Sequence, residues 1–498
     1  MSEAQQPDPS NWRIDRLAWL ISVAIVVATL LNGLPFYLRR IGWIDREAYR
    51  HDLMRFCLEP INHWWLPATC HYRRVLDVDP LRVISVNISR FYELSTPELF
   101  LKLAKYGVTA GLLGVSLLLV LRGQASVPSF LRLRPAWPML AATLISLALG
   151  FIQGGGMQAL LIVVNSAWLW VLLFSSWLTT PSRLQTIVDG ISILILLQLP
   201  LALMEAMRGI PTPFGPGLET LDPPSLPVPS RLMQVFVQPN SLGGFLVVGL
   251  GFCIAFSRRR RWLPWLMVAV LPPLLLSRSA TGLLAMTVMV ILWPRQPFSS
   301  ISGRGHRPRS PWALRNRWSR SVLSVVERRK ILLLLILAIP AALLLPTALD
   351  RPDLFDSLMG RWLTLRRALD GDQPMNLLLG RGVGNVGSLF HNIVATNHAS
   401  LAWFKAWPVF NNQSIATDSQ VVMILVQGGL LGVVGFFTLL LGALNRAAWA
   451  LPFLLAVALC SLTLNITDIF PLSILLGLGL NRCLLGPRGA DVNSSSEA

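Results

Sequence analysis

Long apolar runs, separated by short basic segments and a few long polar loops, set the pattern of this chain. The runs fall at 17–38, 104–121, 137–153, 157–178, 187–207, 241–256, 262–276, 280–294, 331–349, 419–444, 447–464 and 467–484. A helix of about 20 apolar residues crosses a hydrocarbon core of about 30 Å, and a water-soluble fold has no means of hiding so many such runs. The pattern predicts an all-α, polytopic integral membrane protein with about 12 transmembrane helices and a large extracytoplasmic loop between late helices.

Composition agrees with that expectation. The 498 residues are 53% hydrophobic and only 14% charged, and the mean hydropathy is +0.56; soluble domains carry about 25% charged residues. A net charge of +18 would suggest nucleic acid in a soluble chain, but no nucleic-acid motif accompanies it. The arginines instead lie between apolar runs, as the positive-inside bias requires. With the N-terminus inside, residues 1–16 form a cytoplasmic segment, and 17–349 hold nine helices with outer loops at 39–103 and 208–240. The 295–330 loop is then cytoplasmic and carries Arg304, Arg307, Arg309, Arg315, Arg317, Arg320, Arg328, Arg329 and Lys330. Residues 350–418 form the large extracytoplasmic loop, 419–484 the last three helices, and 485–498 a cytoplasmic polar tail. Arg258–Arg261 reads as a topological stop rather than a lipid-phosphate site.

Smaller features refine the picture. The first apolar run is too long for a signal peptide and has no small-residue cleavage site after it, so it reads as a retained helix. Seven prolines between Pro211 and Pro229 exclude a regular helix in the second outer loop. Cys253, Cys460 and Cys483 lie in apolar runs and read as packing residues. Cys57 and Cys70 share the first outer loop, where they could pair only if that loop faces an oxidising compartment.

Candidate chemistry gathers at the outer ends of the helices. Arg231 leads into Pro239-Asn240-Ser241-Leu242-Gly243-Gly244, where Asn240 or Ser241 is the expected N-cap of a helix whose free N–H groups favour an anion; an unliganded loop-to-helix junction explains the same residues. Arg278 lies in the expected tiny outer hairpin Ser277-Arg278-Ser279-Ala280-Thr281-Gly282. A cation there runs against the charge bias and points to anion binding over a snorkelling surface charge. The large outer loop contains Gly360-Arg361-Trp362 and Leu379-Gly380-Arg381-Gly382-Val383-Gly384. Its glycine run lacks a Walker lysine and reads better as a tight turn beside a ligand than as a nucleotide cradle. Asp418, just before the tenth apolar run, is a candidate base or a plain helix N-cap. His398 and His391 are alternative bases, or ordinary loop residues, and fit no zinc spacing.

Taken in order, Arg231…Pro239-Asn240…Gly243, Ser277-Arg278-Ser279…Gly282, Arg361-Trp362…Gly380-Arg381-Gly382 and Asp418-Ser419-Gln420…Gly429-Leu430-Leu431-Gly432 resemble the O-antigen ligase and polymerase superfamily over approximately 100–485. The resemblance implies a glycosyltransferase of the bacterial inner (plasma) membrane with cytoplasmic termini. It would take glycan from a polyprenyl-diphosphate carrier at the outer face and pass it to a glycan or glycolipid acceptor, with membrane lipid around it and neither cofactor nor metal. In that reaction Arg231, Asn240, Arg278, Arg361 and Arg381 would hold the diphosphate or substrate, and Asp418, His398 or His391 would handle the hydroxyl proton. Ligases of the family carry a His-Asn pair before the late long helix; Thr417-Asp418-Ser419 stands there in this chain, which favours a polymerase or a ligase-like relative. Rivals from another class are a secondary transporter of bicarbonate or another anion and a lipid-linked-glycan flippase. No inverted repeat supports the first, and the outer clustering of the arginines does not suit the second.

Overall fold

The structure is a computed structural model that describes residues 9–40, 96–129, 131–154, 166–207, 232, 234–236, 239–258, 262–291, 366, 374–382, 386–387, 415–416, 419–467 and 469–485. In chain order its helices are α1 (Pro9–Arg40), α2 (Thr96–Leu121), α3 (Trp137–Gly154), α4 (Ala167–Phe174), α5 (Pro181–Met207) and α6 (Pro239–Phe256). They continue with α7 (Leu263–Ser277), α8 (Ala280–Ile291), α9 (Pro374–Leu379), α10 (Gln420–Arg446), α11 (Leu451–Thr463) and α12 (Leu472–Leu485). Extended pairing among the described residues is limited to β1 (Val386–Gly387) and β2 (Ile415–Ala416), which run parallel.

The architecture is therefore all-α, and each expected apolar run other than 331–349, which lies outside the described residues, coincides with a helix. Two boundaries differ from expectation. The second helix starts at Thr96 rather than 104, so it takes the end of the first outer loop. The run at 157–178 is not one continuous helix: α4 ends at Phe174 and a separate 3-10 turn covers Ser176–Thr179. Asn481 of α12 ties the two pieces together, donating to the Leu172 carbonyl at 2.5 Å and accepting from Thr179 Oγ1 at 3.0 Å.

Five helices, over Trp12–Pro35, Ala104–Leu121, Arg134–Ile152, Pro181–Met207 and Gln420–Arg446, are long and apolar enough to cross a membrane. Their outward faces are apolar too: Leu20, Val27, Leu118, Ile152, Leu203 and Val434 are exposed. Helices apolar on both inner and outer faces suit a bilayer, where the backbone must be satisfied within each segment.

At the centre stands α6, whose Leu242, Phe245, Leu246, Val247, Leu250, Phe252 and Cys253 are fully buried. It packs against α5, α7, α8, α11 and α12. Phe252 meets Phe453 edge-on at 5.6 Å, and Gly251 lets the backbone of Pro452 and Phe453 approach. A second body of packing joins α3 to α10, where Gly435 and Gly442 leave room for Met139 and Pro135; small residues bring helix axes close where no aqueous hydrophobic effect operates.

The described arginines sort by end of the bundle. Arg183 of α5 pairs with Asp15 of α1 at 2.7 Å, Arg258 donates its N–H to Gln185 Oε1 at 2.6 Å, and Arg446 Nη1 bonds the carbonyls of Arg132 and Leu484 at 2.5 and 3.1 Å. These contacts place Arg132, Arg183, Arg258 and Arg446 at one end of the bundle, the end at which α1 begins. The opposite end carries Arg278 and Arg381, together with Arg39 and Arg40 at the close of α1.

The long helix α10 is broken. Gly429 has φ 63° and ψ −164°, a combination confined in practice to glycine. The carbonyls freed by the break find donors outside the helix: Val426 O accepts from Arg381 N–H at 2.8 Å and Gln427 O from Gly382 N–H at 3.2 Å. A Cβ on Gly429 would collide with the Leu378 carbonyl, and one on Gly380 with that of Gln427. Replacing Gly429 with Ala is thus expected to destabilise the protein by about 2 kcal/mol or more, read as a lowered melting temperature and loss of monodispersity in detergent. Gly111→Ala, with nothing within 4 Å of its Cβ, is expected to be neutral or stabilising by up to about 1 kcal/mol.

Candidate functional site

The link between α7 and α8 is tighter than the expected hairpin, with only Arg278 and Ser279 between the helices. Ser277 Oγ donates to the Leu274 carbonyl at 2.8 Å and accepts from Ser279 N–H at 3.3 Å. Ser279 opens α8: its Oγ accepts from Gly282 N–H at 3.3 Å and its carbonyl from Leu283 N–H at 2.9 Å. Both serines therefore act in helix termination and capping. Arg278 is the left-handed C-cap, φ 48° and ψ 34°, where an L side chain costs about 1–2 kcal/mol and glycine is the usual occupant. Its backbone N–H bonds Leu275 O at 3.0 Å and closes the turn, and its side chain is part-buried.

Around this turn the structure gathers several chain segments. Leu232, next to Arg231, donates its N–H to the Leu276 carbonyl at 3.2 Å. A Cβ at Gly243 would lie 2.5 Å from Ser279, and one at Gly282 would lie 3.1 Å from the Gly243 Cα, so the glycines in both motifs serve the close approach of α6 to α8. Thr281 Oγ1 and Thr463 Oγ1 are 2.6 Å apart, and Gln420 N–H bonds Leu464 O at 3.0 Å. The N-termini of α6, α8 and α10 thus open at the same end of the bundle, and their partial positive charges add there.

Asn240 is placed differently from expectation. The helix begins at Pro239, which suits a first-turn position because proline has no N–H to satisfy, so Asn240 falls within the first turn rather than at the N-cap. The cap of α10 is Ser419, whose Oγ accepts from Val422 N–H at 3.4 Å, and the capping role considered for Asp418 is thereby filled by its neighbour.

The Gly380-Arg381-Gly382 turn follows α9 on the α3–α10 flank. Its N–H groups are spent: Gly380 donates to Asn376 O at 2.8 Å, and the next two satisfy the break in α10. These residues consequently do not form a phosphate cradle from their backbone, because the donors that would make one already serve the broken helix. A Cβ at Gly382 would lie 2.9 Å from Leu149 Cβ, so the turn is wedged between α3 and α10, with the Arg381 side chain part-buried.

Of the expected site residues, Asn240 and Arg278 share one packed region and Arg381 stands on a second flank. Arg231, Arg361, His391, His398 and Asp418 lie outside the described residues, as do Cys57 and Cys70. One cluster went unanticipated. Glu205 is completely buried and accepts from Gln234 N–H at 3.0 Å; Gln234 Nε2 donates to Gln198 O at 2.8 Å and Gln198 Nε2 to Leu194 O at 2.9 Å. Gln198 and Glu205 are seven residues apart in an apolar helix and so share a face. That spacing was the available signal, and what it lacked was the crossing segment that bonds to it. Among the described residues no group of three or more His, Cys, Asp or Glu could hold a metal ion.

Because the docking of the turn is made by closely approaching backbones, Gly382→Ala, at φ 79° and against α3, is expected to lower thermal stability by about 2 kcal/mol, read by thermal denaturation of variant and parent in detergent micelles. Comparison with protein-family models, curated proteins and solved structures yields no match.

Proposed function

We propose that the chain is a membrane glycosyltransferase of the O-antigen ligase or polymerase kind, which takes glycan from a polyprenyl-diphosphate carrier onto a sugar hydroxyl. The observation that carries this reading is Arg278, held in a left-handed turn that glycine would fill more cheaply, beside three helix N-termini and at the end away from the main arginine cluster. A guanidinium so placed suits a diphosphate, which it can bind through paired hydrogen bonds without losing its charge. The arginine-rich end is then cytoplasmic, the termini lie on that side, and about 12 helices cross a bacterial inner membrane.

In the reaction the acceptor oxygen attacks the anomeric carbon, the bond from that carbon to the diphosphate oxygen breaks, and the electron pair leaves on the carrier diphosphate. Arg278, with Arg231, Arg361, Arg381 and Asn240, would stabilise the developing charge in a site of low dielectric. Asp418, or His398 or His391, would take the hydroxyl proton. One observation favours a second reading: a membrane-spanning helix interrupted at Gly429 is a device that secondary transporters use at their binding sites. The transferase reading stands ahead of it because the freed carbonyls of α10 are occupied by the 380–382 turn.

Deleting the gene is expected to abolish attachment or elongation of a surface glycan, and the parent gene to restore it. Complementation with Arg278→Gly, a residue suited to the left-handed turn, is expected to give a folded protein with activity reduced about 100-fold or more, and Asp418→Ala a similar loss. Unchanged surface glycans in the deletion would sink the transferase reading; a defect in anion uptake with intact glycans would move the assignment to transport.

A further inference from the structure

Directly beneath the break in α10 lies a cavity of about 40 Å³ between α3, the start of α4 and α10. It exists because Gly428 and Gly432 of α10 face Ala142 of α3, leaving that wall without bulk. Gln427 is seven residues into α10, about 10 Å along its axis at 1.5 Å per residue, so the cavity is below the end of the bundle where the candidate site residues gather.

Most polar groups lining it already have partners. Thr143 Oγ1 donates to Met139 O at 2.8 Å, Ser166 Oγ accepts from Trp170 Nε1 at 2.9 Å, and Gln420 Oε1 accepts from Thr467 Oγ1 at 2.8 Å. Two are left over. Ser146 Oγ and Gln427 Nε2 are buried and have no hydrogen-bond partner among the described residues, in side chains only 4% and 8% exposed. Each orphan costs about 1–3 kcal/mol when nothing occupies the cavity, which makes an occupant with hydrogen-bonding capacity the state that satisfies this wall.

The lining also states what that occupant is not. Hydroxyls, amides, methionines, aliphatic groups and Trp168 line the cavity, and among the described residues no ionisable side chain does. A phosphate or carboxylate would enter without a counter-charge at a depth where an unpaired charge is heavily penalised. A hydroxyl group accepts from the Gln427 amide and exchanges a hydrogen bond with Ser146, and it does so whichever way that amide is turned. Forty cubic ångströms holds roughly three water-sized groups, which is one edge of a sugar and not a whole ring with its substituents.

We infer that this cavity is a subsite for a neutral, hydroxyl-bearing sugar edge, belonging to the sugar attached directly to the carrier. The identity of the ligand rests on the glycosyltransferase reading; its neutral hydroxylic chemistry rests on the cavity alone. A sugar tethered to a membrane carrier is held near the bilayer boundary, within reach of a pocket at this depth, whereas the outer units of a glycan extend into water. The diphosphate would remain with the arginines, and Ser146 and Gln427 would hold the sugar without touching the reacting bond.

Two experiments separate this site from the activity. In full-length protein in nanodiscs, with Cys57 and Cys70 changed to serine, Ser146→Cys is labelled by a small methanethiosulfonate reagent; Cys253, Cys460 and Cys483 are completely buried. Glucose, galactose or N-acetylglucosamine is expected to slow labelling, and inorganic phosphate to leave it unchanged. Protection by phosphate alone, or by neither, overturns the inference. With carrier-linked glycan as donor, Gln427→Leu and Ser146→Ala are each expected to raise the donor KM about tenfold at unchanged kcat, while inhibition by sugar-free polyprenyl diphosphate stays the same. An unchanged donor KM, or equal weakening of sugar-free carrier, also overturns it. If the parent protein shows no transfer while sugars still protect Ser146→Cys, the transferase reading falls and the neutral-sugar site stands.

Discussion

A backbone carbonyl that loses its helical partner inside an apolar medium must find another donor, and α10 meets that requirement with a second stretch of chain. The break at Gly429 frees Val426 O and Gln427 O, and the N–H groups of Arg381 and Gly382 take them. Leaving one such group unsatisfied costs several kcal/mol in hydrocarbon, so the late loop is fastened to the bundle by the same bonds that make the break tolerable. Glycine is needed on both sides, because the two backbones approach too closely at Gly380 and Gly429 for any Cβ. The position of Arg381 and the wedge of Gly382 against α3 both follow from that one docking.

A similar logic explains the α7–α8 turn. Its serines close one helix and open the next, and its glycine makes room for α6. Between those serines Arg278 takes the left-handed position. A cation in a short turn can be a surface charge, but a cation in a left-handed conformation where glycine is cheaper requires a reason outside the turn. The helix N-termini gathered nearby offer one in the form of an anion.

In the proposed function the two flanks divide the work of recognition along physical lines. The Arg278 region offers fixed positive charge at the end of the bundle, suited to a leaving diphosphate. The cavity under the α10 break offers neutral donors and acceptors in a confined, apolar wall, suited to a hydroxyl. Such a separation places charge where water still reaches and hydrogen-bond selectivity where it does not.

The all-α architecture and nearly every described helix were legible in the linear pattern, because a bilayer forces long unbroken apolar runs and those runs are local in sequence. The sorting of most arginines to one end followed from the same arithmetic of alternating crossings. Site chemistry was legible only where a residue breaks a local rule, as Arg278 does. Gly380-Arg381-Gly382 read as a turn beside a ligand, and its true partner, the broken backbone of α10, lies more than forty residues away along the chain. Gly428, Gly429 and Gly432 could be seen in the sequence, but whether a glycine bends a helix or lets another approach is settled by what stands opposite it. The same holds for Ser146 and Gln427: each is an ordinary polar residue in its own helix, and only the packing of α3 against α10 leaves both without partners on one wall. Sequence by itself determined which segments must cross an apolar medium, since that depends on transfer free energy summed along the chain. Tertiary structure alone decided which polar groups are left unsatisfied, since that depends on distances between segments that the chain order does not encode.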